Sequence, residues 1–110
     1  MNNDREWLEL AAKAAGIEYG WQHIYDDYEG STSEKWDWNP LTDDGDALRL
    51  VVKLHLIVAS IKATHEKPAF TAVYHFNGPE HVTEEHGNDE KAATRRAIVR
   101  AAAAIVETIA

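Results

Sequence analysis

The chain contains no cysteine, which removes disulfides, thiolate metal sites and cysteine nucleophiles together. It also lacks any run approaching the ~20 apolar residues that a membrane span requires. The opening MNNDREWLEL has no basic-then-apolar order, so no signal peptide is expected. Basic residues are few, 11 against 19 acidic, for a net charge of -8. That balance opposes direct nucleic-acid binding, which relies on clustered Lys and Arg. It is compatible with a DNA mimic or with a partner that has a basic groove. No P-loop, Rossmann glycine pattern, kinase signature or G-x-S-x-G elbow is present. There is no internal repeat and no interdomain linker.

What is present suffices for one folded unit. Apolar residues make up 45% of 110 positions, enough for a single domain spanning residues 1–110 with an ordinary two-layer core. The organising stretch is WNPLTDDGDALRLVVKL, residues 38–54. Pro40 suits a first helical turn, and Asn39, Thr42 or Asp43 can cap it. Asp43, Asp44 and Asp46 sit where the helix dipole favours negative charge. Ala47, Leu48, Val51 and Val52 recur at helical spacing as the expected apolar face.

Before this helix, residues 4–15 read as a helix that buries Trp7, Leu8, Ala11 and Ala15 and ends at Gly16. Residues 17–25 read as a strand with Tyr19, Trp21, His23 and Tyr25 on one face. DDYEGSTSEK, residues 26–35, reads as an exposed turn or loop. Trp36 and Trp38 flank Asp37 and suit a short second strand.

After it, residues 56–63 form a buried-strand candidate by their β-branched content. Residues 69–76 alternate Phe70, Ala72, Tyr74 and Phe76 on one face and make an antiparallel hairpin with it. Asn77-Gly78-Pro79 closes that strand, and a short edge piece around residues 81–83 can follow. Asp89 caps a last helix over residues 90–109. The expectation is an α+β domain, order α-β-β-α-β-β-α, with a small antiparallel sheet of three to five strands and helices packed on it.

Two blocks resemble a known family. WNPLTDDGDALRLVVKL and AATRRAIVRAAAAI, residues 92–105, are similar to signature blocks of an uncharacterised family of small proteins of tailed phages and prophages, distantly NinX-like. WLELAAKAAGIE, residues 7–18, is similar to that family's opening. The middle hairpin and the loop at residues 26–35 are the least similar part. Family members usually carry Gly at the position of His55 and Pro at that of Glu90. The resemblance implies a phage accessory protein in the cytoplasm of a bacterial host, with counter-defence as its purpose. It implies no mechanism.

Chemistry is sparse. HVTEEH, residues 81–86, has its histidines five apart on a strand-like segment, whereas a zinc-protease helix needs them four apart on one face. The acidic run of residues 43–46 is consecutive and too short for a calcium loop, so capping explains it better. No enzyme, cofactor or metal is expected.

Two binding modes remain. In the first, the protein sequesters a small nucleotide-like signal molecule. Trp36 and Trp38, with Trp21, offer stacking faces, Asn39 reads base or amide edges, and Arg95 and Arg96 meet phosphate. Against this stand ordinary core packing of tryptophan and a salt bridge from the arginines to Asp43, Asp44 or Asp46. In the second mode an acidic face inhibits a host defence protein, in the manner of an anti-CRISPR or DNA mimic. Asp26, Asp27, Glu29, Glu34 and Asp37, or Glu80, Glu84 and Glu85, form that face; solvation is the plainer role of such loops. An alanine-rich last helix also leaves homo-oligomerisation open.

Overall fold

The structure is a computed structural model, and it describes residues 3–16, 22–26, 30–34, 38–75 and 81–109. Helix α1, Asn3–Ala15, buries Leu8, Ala11, Ala12 and Ala15 at helical spacing, and Trp7 is half-buried beside them. Gly16 stops it at φ 73°, in the left-handed region where a side chain would be strained.

Strand β1, Gln22–Asp26, pairs antiparallel with β2, Gly30–Glu34, in a register that sets Ile24 opposite Thr32. Residues 30–34 are expected to be loop because Gly and Ser have low strand propensity, yet backbone pairing to β1 makes them a strand. Trp38, expected in a strand, lies in an irregular segment. Tyr19, Trp21, Lys35 and Trp36 fall outside the described residues, as do Phe76 and the 77–79 turn.

Helix α2, Asp44–Leu54, begins at Asp43, whose carboxylate accepts from the Asp46 N–H at 2.8 Å. Pro40 is not in its first turn. It sits in a preceding turn in which the Asn39 carbonyl accepts from the N–H groups of Thr42 and Asp43. The apolar face is also rotated from the expected one. Ala47 and Leu50 are buried and Val51 and Leu54 half-buried, whereas Leu48 and Val52 are 62% and 66% exposed. His55 ends the helix at φ 56°, its N–H donating to the Val51 carbonyl.

Strands β3, Leu56–Ile61, β4, Phe70–His75, and β5, His81–Glu85, form an antiparallel sheet in that order. The expectation of a buried strand at residues 56–63 fails, because β3 is an edge and only Leu56 on it is buried. β4 is central, and Thr71, Ala72 and Val73 are buried on it. Helix α3, Glu90–Ile109, starts at Asp89, whose carboxylate accepts from Ala92 N–H at 3.0 Å.

α3 holds the layers together. It packs most extensively on α1, then on β4 and β5, and runs beside α2. Ala97, Ala101 and Ala102 let these neighbours approach closely, with Val99 and Ile98 filling between them. The result is the expected α+β class, with helices on one face of the three-stranded sheet.

Candidate binding groove

The DDGD run is a capping network. Asp46 is only 5% exposed, and its carboxylate accepts from Asn39 N–H and from Arg49, each at 2.9 Å. The Asn39 side-chain oxygen accepts from Leu41 N–H at 2.9 Å. Asn39 is thus occupied in shaping the turn that delivers α2. Trp38, beside it, is 2% exposed and packs within the core cluster, so its ring presents no stacking face to solvent.

The two arginines point to different sides of α3. Arg95 Nε donates to the Leu41 carbonyl at 2.8 Å, and its Nη1 pairs with Asp44. Its side chain is 16% exposed. Arg96 lies over the Trp7 ring, 5.1 Å from the centroid, and reaches Asp4 and Glu84. Arg100 joins it there, with 2.6 Å to Glu84 and a bond to the Thr83 carbonyl. Arg95 and Arg96 therefore do not converge on one ligand.

Of the expected acidic face, Asp27, Glu29, Asp37 and Glu80 lie outside the described residues. Asp26 and Glu34 sit at opposite ends of the β1–β2 ladder, Asp26 opposite Gly30 and Glu34 opposite Gln22. Glu84 is engaged by Arg96 and Arg100, and Glu85 is exposed.

What the fold does assemble is a groove of about 440 Å³ between α2 and α3, floored by the helix-facing side of β3. Such a volume falls within the range of small-molecule sites. Leu48, Val51, Val58 and Ile98 supply its apolar lining. Ser60, His86, Lys91, Thr94 and Arg95, together with the carboxylates of Asp44 and Glu90, give it a polar end. Among the described residues, Arg95 alone of the expected ligand residues reaches it, and it does so while clamped to the 39–44 turn.

A hydrogen-bond chain behind the groove fixes the state of His86. Thr94 donates its hydroxyl proton to the Glu90 carbonyl at 2.8 Å. It therefore accepts from Thr71, 2.7 Å away, because each hydroxyl has one proton. Thr71 has then no proton left for His86 Nε2 at 2.7 Å, so the imidazole donates. Neutral His86 carries its proton on Nε2, and Nδ1 remains an acceptor. Thr71 is fully buried, whereas Thr94 and His86 are half-buried and line the groove. Lys91 is exposed and has no ion pair among the described residues.

His86, Lys91 and Thr71 escape sequence reasoning because their juxtaposition depends on which strand follows which in the sheet. Only the 81–86 segment drew attention to His86, and for metal chemistry. Among the described residues no three His, Asp or Glu side chains are placed to hold a metal. No described helix is long and apolar enough to cross a membrane. The chain matches no protein-family model, no curated protein and no solved structure.

Proposed function

We propose that the chain is a binding protein with no reaction of its own, and that the groove between α2 and α3 sequesters a small ligand. The carrying observation is an apolar trough of ligand size with one polar end, where Lys91 has no ion pair among the described residues and His86 Nδ1 can accept. The chemistry that fits is an aliphatic body whose head offers an anionic oxygen to Lys91 and a hydroxyl proton to His86 Nδ1, such as a small hydroxycarboxylate or a phosphate monoester. A nucleotide-like signal is the weaker fit, because no Trp, Tyr or Phe among the described residues lines the groove and a base would rest largely on Leu48, Val58 and Ile98. A phage counter-defence setting is what the resemblance of residues 38–54 and 92–105 adds to this reading.

The test is native mass spectrometry of protein purified from bacterial cells, alongside thermal shift against a panel of small carboxylates and phosphate esters. Retained mass above the 12.3 kDa chain, lost in Leu48→Asp and in Val58→Asp, supports the reading. Both side chains are partly exposed, so these variants should fold. Bare protein and no thermal shift across the panel overturns it. Capture of a protein partner through Glu85 in place of a small mass points to the acidic-inhibitor mode instead.

A further inference from the structure

Five of the six large hydrophobic side chains left exposed among the described residues lie on two consecutive elements. They are Leu48 and Val52 on α2, and Ile57, Val58 and Ile61 on β3. β3 is also an edge of the sheet, and no described strand pairs with its outer side. It carries none of the usual protections of an edge: no proline, no charge within residues 56–61, and a regular register with β4.

Charge singles out the same side. In a chain of net charge -8, no acidic residue occurs between positions 47 and 65. The charged residues of that stretch are Arg49, Lys53 and Lys62, and two copies apposed through it keep their carboxylates apart. Here they meet through neutral backbone and aliphatic side chains, with carboxylates held away.

We infer that β3 pairs antiparallel with β3 of a second copy, joining two three-stranded sheets into one of six strands across a two-fold axis. Such an axis, normal to the sheet, keeps each residue on its own face, so residue numbers in a pair must sum to an even value. Centring on Ala59 sets Ile57 opposite Ile61 and Ala59 opposite itself, all on the face away from α3. Val58 then lies opposite Ser60 on the helix-facing side, where both line the groove. Every pair matches apolar or small neutral groups.

At exposures of 37% to 66% the five side chains leave roughly 450 Å² open, so they supply at most about half of the ~800 Å² per partner in a standard interface. The unpaired backbone edge and the stems of Lys53 and Lys62 add to it. On the ligand reading above, the second copy's Val58 and Ser60 also wall the open flank of the groove. That consequence rests on the ligand reading, whereas the dimer does not.

The experiment is light scattering with size exclusion on ligand-free full chain at roughly 100 µM, for wild type, Ala59→Lys, Ala59→Glu and a mixture of the two variants. Wild type is expected at twice the 12.3 kDa chain mass. Each variant alone sets like charges opposite each other and should dimerise at least tenfold more weakly. The mixture sets Lys against Glu within ~5 Å and should recover the dimer, which also shows that both variants fold. Three results would overturn the inference: a monomeric wild type, a dimer indifferent to both variants, or variants that separate and fail to recombine.

Discussion

Arg95 decides whether this fold spends its central arginine on structure or holds it for a ligand, and truncation to alanine measures that. The Nε bond to the Leu41 carbonyl joins an ionised donor to a half-buried acceptor, a class worth about 1.5–3 kcal/mol. The Asp44 partner is 66% exposed, so screening limits that pair to about 0–1 kcal/mol. Some packing of the arginine stem is lost as well, because the side chain is only 16% exposed. Arg95→Ala should therefore cost about 2–4 kcal/mol and lower Tm by roughly 10–20 °C. Urea unfolding followed by far-UV circular dichroism is the assay, with Asp44→Ala alongside at under ~1 kcal/mol. About 1 M salt should abolish the Asp44 effect and leave most of the Arg95 effect, since Debye screening reaches exposed pairs first. If the two substitutions cost the same, or salt removes both, the backbone clamp is refuted. Arg95 would then be available for a ligand.

Three further outcomes follow from the geometry. His55 holds φ 56° without being glycine, a conformation that costs an L-residue about 1–2 kcal/mol, and its side chain is exposed. His55→Gly should therefore raise stability by about 1 kcal/mol after the entropy glycine adds to the unfolded chain, and a lower Tm would refute the strain. Nitrogen-15 NMR on neutral His86 should show the proton on Nε2; an Nδ1–H tautomer would break the hydroxyl chain inferred from Thr71 and Thr94. Thr71→Val leaves the half-buried His86 Nε2–H and the Thr94 hydroxyl without their Thr71 partner and should cost about 1 kcal/mol.

The helices and their ends were legible in the sequence because their determinants are local. Asp43 and Asp89 cap through N–H groups three residues on, Gly16 stops α1 by its own φ, and α3 runs over the expected residues. Local periodicity nonetheless misplaced the buried face of α2. Ala47–Leu48–Val51–Val52 and Ala47–Leu50–Val51–Leu54 are both helical stripes, and only the positions of α3 and β3 choose the second.

Strands depend more heavily on partners. GSTSE has almost no intrinsic reason to extend, and becomes β2 because β1 offers a ladder. LIVASI has every composition mark of a buried strand, and is an edge because β4 and not β3 lies at the centre of the sheet. The groove is the same kind of outcome. Its lining comes from α2, β3, α3 and the turn after β5, and no spacing along the chain announces contacts between residues 48, 58, 86 and 91. Composition and local hydrogen bonding thus determined an acidic, cysteine-free α+β chain and the ends of its helices. Tertiary packing decided which tryptophan is core, which arginine is a clamp and which apolar side chains stay in water, because those choices follow from what lies opposite, not from what lies adjacent.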